Sequence, residues 1–289
     1  MQITTLIDNR PSPDDPQLVA EWGLSLCVEL NGRHILIDMG ASDAFARNAD
    51  RLSIDIAAID VAILSHHHYD HGGGLRRFLE LNDHADIYLG AAPDGAPTVK
   101  LFGFVRKYIG LDRTLLATHA HRFRFVNERT EVLPGVFVLP RIGGQHARPA
   151  GNRHLYLKRD AALVPDDFHH EIVVAIREHD ALVVLTACSH NGLLNMVETA
   201  SAEFPGLPIR AVVGGFHLAR LPPLRGMSEN ERVVADIGRA VLEHGVETTY
   251  TGHCTGKAAF EVLRGAMGDR VQEIHTGSRI DLQAMGYTA

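Results

Sequence analysis

The residues with the clearest capacity for chemistry lie in one short run, His66–His71, which reads His-His-His-Tyr-Asp-His. Its spacing, His66-x-His68-x-Asp70-His71, brings together the imidazole and carboxylate ligands that zinc and related divalent ions accept at neutral pH. On an extended strand alternate residues share one face, whereas a turn after a strand can direct all four side chains to a common point. We therefore predict a metal site, with one ion on His66 and His68 and a second on Asp70 and His71.

Two later histidines are further candidate ligands. His190 and His253 each follow an apolar run that reads as a buried strand, and each lies beside glycine or other small residues. Either residue alone is as compatible with a structural histidine as with a ligand. The presence of the His66–His71 run in the same chain favours the ligand interpretation for both.

The pattern around these residues predicts alternating strands and helices. Asp60–Ser65 is a short apolar strand that leads directly into the histidine run, and the glycines at 72–74 let the backbone turn tightly after it. Asn31-Gly32 predicts a hairpin turn. The other predicted elements are strands at 23–30, 34–38, 182–186, 209–213, 248–250 and 271–274, and helices at 43–52, 75–81, 193–203, 229–244 and 257–267.

The middle of the chain, from about residue 91 to 160, is less regular and rich in Gly, Pro, Arg and His. Its pattern predicts a helix over Val99–Tyr108 and strands at Phe123–Val126 and Val136–Leu139. We interpret it as an insertion that covers an active site within a single domain spanning residues 1–289. Its basic residues Arg106, Lys107, Arg141 and Arg148 could meet an anionic substrate, although a solvated surface position suits each of them better.

The composition limits the classes of partner. A formal net charge of −7 argues against a general nucleic-acid-binding protein, which needs a basic surface to displace counterions. No apolar run is long enough to cross a bilayer, and the N-terminal residues lack the basic and apolar regions of a secretion signal. Three cysteines do not suggest a disulfide framework. We expect a cytoplasmic protein with no nucleic-acid or membrane partner; a homo-oligomer is compatible with the sequence.

The run Leu64–Leu75 closely resembles the His-x-His-x-Asp-His signature of the metallo-β-lactamase superfamily. The resemblance extends from residue 3 to about residue 279 and implies an α/β fold, the four-layer αββα metallo-β-lactamase-like sandwich, with metal ions at one edge of two sheets. Other segments are similar to one subgroup, the 7,8-dihydropterin-6-yl-methyl-4-(β-D-ribofuranosyl)aminobenzene 5′-phosphate synthase-like proteins: Gly23-Leu24-Ser25, Ile37–Ser42, Cys188–Gly192, Gly214–Leu218 and Gly252–Gly256.

The resemblance also implies a ligand set for two divalent ions. We expect zinc, with manganese or iron as alternatives. Three residues would hold each ion: His66, His68 and His190 the first, and Asp70, His71 and His253 the second.

Several residues remain alternatives or additions to this set. Cys188 stands where many superfamily members have an aspartate that bridges the two metals, so either a thiolate ligand replaces the bridge or the bridge is absent. His169-His170 lies near the place where other members have their third histidine, although we prefer His190. His217 is a candidate for substrate contact, for a ligand position or for a structural role. Asp38, at the end of a strand, is a candidate either to orient a ligand histidine or to cap backbone amides.

These residues predict an enzyme rather than a structural protein. Two divalent ions can share a water molecule and lower its pKa. This chemistry favours a hydrolase that acts on an ester, lactone or phosphoester small molecule. Asp70 would orient the water or accept its proton. One alternative is the synthase, a transferase, that the subgroup's name implies. The other is a metal-binding sensor without turnover.

Overall fold

The computed structural model describes residues 1–220 and 226–282, and these contain eighteen strands and seven α-helices. The strands are β1 (Gln2–Ile7), β2 (Ser25–Leu30), β3 (Arg33–Ile37), β4 (Val61–Leu64), β5 (Asp86–Gly90), β6 (Ala96–Leu101), β7 (Val105–Tyr108), β8 (Phe123–Val126), β9 (Thr130–Leu133), β10 (Val136–Leu139), β11 (Leu155–Arg159), β12 (Ala162–Pro165), β13 (Val173–Glu178), β14 (Ala181–Ala187), β15 (Ile209–Gly214), β16 (Thr248–Thr251), β17 (Val271–Glu273) and β18 (Arg279–Asp281). The helices are α1 (Ala44–Arg51), α2 (Tyr69–Gly72), α3 (Leu75–Leu81), α4 (Arg113–Thr118), α5 (Leu193–Glu203), α6 (Glu231–Glu243) and α7 (Lys257–Met267).

The chain forms two compact units. The first contains residues 1–89, 111–125 and 274–282, and the second contains residues 90–110, 126–220 and 226–273. The prediction of one domain with an insertion at 91–160 stays a prediction. None of the helices in the described ranges is long and apolar enough to cross a membrane.

The first unit is built on a seven-stranded sheet in the order β18-β1-β2-β3-β4-β5-β8. The predicted hairpin joins β2 to β3, and Asn31 and Gly32 have φ angles of 51° and 75°, which suit a tight primed turn. The parallel strands β3, β4 and β5 form its centre. Helices α1 and α3 bury Phe45 and Phe78 in the core of this unit, where both side chains are inaccessible to solvent.

The centre of this sheet positions the histidine run. All four residues of β4 are buried, as expected of a strand covered on both faces. Because β3 and β4 are parallel, their carboxyl ends lie at the same edge of the sheet. Asp38 therefore leaves β3 beside the segment Ser65–His71 that leaves β4.

The second unit contains a seven-stranded sheet in the order β17-β16-β15-β14-β13-β10-β9. Strands β14 to β17 are parallel to one another, and α5, α6 and α7 pack on this sheet through residues such as Met196, Val241 and Phe260. The segments after β14, β15 and β16 contain His190, His217 and His253, respectively. The parallel arrangement brings these three segments to one edge of the sheet.

A four-stranded sheet in the order β12-β11-β6-β7 completes the second unit. The predicted helix over Val99–Tyr108 is wrong, because these residues lie in the hairpin of β6 and β7. Across the two strands Val99 pairs with Lys107 and Leu101 with Val105. Phe102 and Gly103 turn between the strands with φ angles of 52° and 79°. The apolar residues fit a helical period by chance, whereas the left-handed turn separates them into two strands. The predicted strands β8 and β10 are confirmed.

Candidate metal centre

The four predicted ligands of the first unit lie in a buried turn. The chain leaves β4 at Ser65 and enters the short helix α2, whose first turn is closed by hydrogen bonds from the amides of His71 and Gly72 to the carbonyl of His68. His66, His68, Asp70 and His71 are each less than a tenth exposed. The helical turn returns Asp70 and His71 toward the two histidines that precede them.

The distances between these side chains suit metal binding. Nε2 of His66 lies 3.0 Å from Nδ1 of His68, close to the separation of about 3.3 Å that two nitrogen ligands have on one tetrahedral zinc ion. The His66 and His71 rings lie 4.3 Å apart between centroids. Nε2 of His71 lies 4.0 Å from a carboxylate oxygen of Asp70. The structure thus brings all four residues together within the first unit.

Asp38 and Ser65 hold two of the rings in a defined orientation. An Asp38 carboxylate oxygen accepts a hydrogen bond from Nδ1 of His71 at 2.6 Å and another from the Ser65 hydroxyl at 2.7 Å. Because that hydroxyl donates its proton to Asp38, it accepts from Nδ1 of His66 at 2.8 Å. Each ring then carries its proton on Nδ1 and offers the lone pair of Nε2, the arrangement that a ligand histidine needs. The other oxygen of Asp38 accepts from the backbone amide of Ser65 at 2.8 Å, so both contacts considered for Asp38, with a candidate ligand histidine and with a backbone amide, are present.

The glycines that follow serve close packing rather than an unusual backbone conformation. Gly73 and Gly74 have φ angles of −64° and −77°, which any residue adopts. A Cβ atom on Gly73 would collide with the carbonyl of Ala41, and one on Gly74 would collide with the carbonyl of Met39. The tight turn predicted from these glycines is therefore a place where two backbone segments touch.

In the second unit, His190 is fixed by contacts from three directions. Its backbone amide donates to Glu171 at 2.7 Å, and its Nδ1 lies 3.0 Å from the side-chain oxygen of Asn152. Phe168 stacks on its ring at 4.3 Å, with 4° between the ring planes. These contacts leave Nε2 as the nitrogen available for a ligand.

Glu171 is the buried carboxylate that holds this turn. Its oxygens accept hydrogen bonds from the amides of His190 and Asn191, each at 2.7 Å, and from the Asn191 side chain at 2.9 Å. Burial raises the pKa of Glu171 to about 7, although these hydrogen bonds oppose the increase. Sequence reasoning missed both Glu171 and Asn152. A glutamate at the start of a strongly apolar segment, Ile172–Ile176, was the available signal for Glu171.

His217 joins this part of the second unit. Its ring lies 4.2 Å from that of His190, and the possible ligand atoms of Cys188, His190 and His217 all lie within 4.8 Å of one another. Both ring nitrogens of His217 are buried without a hydrogen-bond partner among the described residues. A buried ring with no such partner has the donor atoms that a metal or a substrate group would satisfy.

A pair of thiols lies beside His253. The sulfur atoms of Cys188 and Cys254 are 3.4 Å apart, and none of the three cysteines, which all lie within the described ranges, forms a disulfide. The possible ligand atoms of Cys188, His253 and Cys254 lie within 4.8 Å of one another. Burial opposes ionisation of Cys254, but the Cys188 thiol and the nearby His253 ring bring the pKa of Cys254 well below its ordinary value. Sequence reasoning missed Cys254 as a partner of Cys188.

The remaining candidates lie elsewhere in the second unit. His170 contacts the buried carboxylate of Asp166 at 3.3 Å, and His169 contacts Asp167 at 2.7 Å. Arg106 and Lys107 are exposed residues of β7. The other two basic candidates, Arg141 and Arg148, line a cavity.

Comparisons with known proteins agree with this arrangement. The family model described as the metallo-beta-lactamase superfamily matches residues 23–152. A relative from Methanocaldococcus jannaschii, named 7,8-dihydropterin-6-methyl-4-(beta-D-ribofuranosyl)-aminobenzene-5′-phosphate synthase, is 29% identical over 97% of this chain and 96% of its own length.

Solved structures give the same result. Tm1679, described as a metal-dependent hydrolase of the beta-lactamase superfamily, is 28% identical, with a TM-score of 0.79 over 98% of this chain and 99% of that one. Zn(2+)-bound PqqB from Methylobacterium extorquens is 14% identical, with a TM-score of 0.57 over 98% of this chain and all of that one, and supports the fold alone. The predicted α/β metallo-β-lactamase-like sandwich is confirmed, and so is the resemblance of this chain to the metallo-β-lactamase superfamily.

Proposed function

We propose that this protein is a metal-dependent hydrolase that acts on an ester, lactone or phosphoester small molecule. The observation that carries the proposal is the buried turn His66–His71, in which Asp38 and Ser65 present two imidazole rings with Nε2 free of its proton. A buried carboxylate that orients a histidine makes that histidine a preorganised ligand. Tm1679, which covers nearly the whole chain, is described as a hydrolase and supports this reaction class.

The proposed ligand set follows the sequence pattern, with three residues for each of two divalent ions. Zinc suits this imidazole and carboxylate set best, and manganese or iron are the alternatives. When bound, such ions lower the pKa of a coordinated water and polarise the substrate oxygen. The proposed ligands are His66, His68 and His190 for one ion, and Asp70, His71 and His253 for the other.

Among the four ligands of the first unit, Asp70 is the residue we assign to proton transfer. Its side chain is 12% exposed, whereas that of His71 is inaccessible. A carboxylate at the accessible side of the turn can orient an attacking water and hold its proton until the leaving group takes it. His71 cannot share this role, because its second nitrogen is occupied by Asp38.

The second candidate function is a synthase. The Methanocaldococcus jannaschii relative is named for joining a pterin to a ribosylaminobenzene phosphate, and it aligns over nearly the full length of both chains. The same side chains would then activate a substrate oxygen rather than a water. A metal-binding sensor without turnover is the third candidate.

Metal analysis and a substrate panel test these candidates. We expect the purified protein to contain about two divalent ions per chain and to hydrolyse at least one phosphoester, ester or lactone, with the product identified by its mass. Condensation of a dihydropterin with a ribosylaminobenzene phosphate, without hydrolysis, would favour the synthase. Full activity after exhaustive chelation would overturn the metal-dependent proposal, and tight ligand binding without any product would favour the sensor.

A further inference from the structure

A cavity of about 370 Å³ lies entirely within the second unit and has no role in the mechanism proposed above. Its volume falls within the range that binds small organic ligands. Arg141 and Arg148 line it together with apolar residues such as Pro140 and Ile142. A cavity that combines two guanidinium groups with apolar walls suits a molecule with one anionic end and one apolar or ring-shaped part.

The cavity lies beside a proposed metal ligand. Phe168 and Asn191 are among its lining residues. Phe168 stacks directly on the His190 ring, and Asn191 is the next residue in the chain. A molecule in the cavity would therefore lie within about one aromatic ring of His190.

The two carboxylates of the cavity wall have other partners. Glu171 accepts three hydrogen bonds from His190 and Asn191. Asp167 is paired with His169 at 2.7 Å. Neither carboxylate forms a hydrogen bond or ion pair with Arg141 or Arg148, although Asp167 interacts electrostatically with Arg148.

The two arginines retain unused donors. The Nε group of Arg141 donates to the carbonyl of Asn127 at 3.1 Å, and within residues 1–220 and 226–282 its terminal nitrogens form no further hydrogen bond or ion pair. In the same ranges the side chain of Arg148 forms neither, and its interaction with Asp167 is electrostatic only. Other exposed arginines of this protein, such as Arg124 and Arg159, form ion pairs with aspartates. Arg141 and Arg148 therefore have donors left for a bound anion.

We propose that this cavity binds the phosphate group of a phosphorylated small molecule, held by Arg141 and Arg148. One guanidinium group can satisfy both oxygens of a carboxylate, whereas a phosphate has three terminal oxygens and can accept from two guanidinium groups at once. The cavity would then determine the substrate class of the enzyme, a conclusion that rests on the proposed function. Phosphate binding in the cavity does not depend on the proposed function.

Calorimetry with phenylphosphonate, a stable phosphate analogue, tests this inference on the metal-loaded full-length protein. We expect Arg141→Gln and Arg148→Gln each to weaken binding about 10- to 100-fold, as loss of a charged hydrogen-bond donor does. Arg159→Gln, which removes an exposed arginine paired with Asp94, is the matched control and should leave binding unchanged. Unchanged melting temperatures would show that the variants fold.

Further binding measurements separate a phosphate site from other ways in which phenylphosphonate could bind. Benzoate should bind more weakly than phenylphosphonate and benzyl alcohol should not bind; tighter binding of benzoate would contradict the phosphate assignment. Repetition after chelation separates binding at the arginines from binding to metal. If phenylphosphonate binds equally to wild type, Arg141→Gln and Arg148→Gln, the cavity inference fails while metal-dependent turnover can persist. If turnover is absent but arginine-dependent binding persists, the proposed function fails and the phosphate site stands.

Discussion

The two units present candidate metal ligands in different ways. In the first unit, His66 and His71 are held through Nδ1 by Ser65 and Asp38, and all the groups involved are oxygen or nitrogen atoms. In the second unit, the histidines lie among thiols, and His217 has no hydrogen bond to either ring nitrogen within the described residues. The first set is preorganised by the protein alone, whereas the second contains a buried ring that lies against a thiol.

This difference has a chemical consequence. Carboxylate and imidazole ligands accept a range of divalent ions, whereas thiolates select softer ions such as zinc. If the proposed ligand set is correct, the His66–His71 turn would provide the geometry of the site. The cluster of Cys188, His217, His253 and Cys254 would then discriminate among metals. The predictions below test this division.

Removal of a first-unit ligand should have the largest effect. We expect His68→Ala to lose all measurable turnover and to bind fewer metal ions per chain, because the remaining donors cannot complete the site. The circular dichroism spectrum should stay close to that of the wild type, since the cores of both units lie elsewhere. His84→Ala, at an exposed histidine on the surface of the first unit, is the control. Wild-type turnover by His68→Ala would refute the role of the histidine turn.

Loss of the orienting carboxylate should have the next largest effect. We expect Asp38→Asn to lower metal affinity or activity about 10- to 100-fold, as removal of such partners of ligand histidines does. Asp38 has a φ angle of 58°, which asparagine tolerates, so the backbone should not be strained. Titration with a metal indicator measures the affinity. Glu29→Gln, at an exposed carboxylate of β2, is the control; an equal loss in that variant would remove the preorganisation argument.

Substitution of the thiols should change metal preference rather than abolish the site. In the cobalt-substituted protein, a thiolate ligand produces a near-ultraviolet charge-transfer band, which we expect Cys188→Ser or Cys254→Ser to remove. Cys27→Ser is the matched control, because burial and then Glu29 raise the pKa of Cys27 to about 12 and keep its thiol protonated at neutral pH. An identical cobalt spectrum in all three variants would show that the second unit contributes no sulfur ligand.

Substitution of the glycines after the histidine run should have the smallest effect, and this effect should be on stability. We expect Gly73→Ala to lower the free energy of unfolding by about 1–3 kcal/mol, because the new methyl group collides with the backbone carbonyl of Ala41. The new methyl group of Gly72→Ala meets only side chains, chiefly that of Leu111, which can move, so the loss of stability should be smaller. Urea denaturation of both variants measures the difference. A larger loss for Gly72→Ala would contradict the assignment of Gly73 as the contact point.

The fold could be predicted well from the sequence wherever one element has a strong local pattern. The ranges expected for α5 and α7 match the structure, and the buried strand β4 was expected because its residues are uniformly apolar. The hairpin of β6 and β7 was misassigned, because short amphipathic strands joined by a tight turn can imitate a helical period. Strands β1, β5 and β13 were not predicted.

By itself the sequence determined the types and spacing of the candidate ligands in the His66–His71 turn, because neighbouring residues meet through local geometry alone. Only the tertiary structure decided the partners of these ligands. Asp38 meets His71 across 33 residues, Glu171 meets His190 across 19, and Cys254 meets Cys188 across 66. Such contacts depend on which strands are adjacent and in what register, and no local pattern encodes that arrangement.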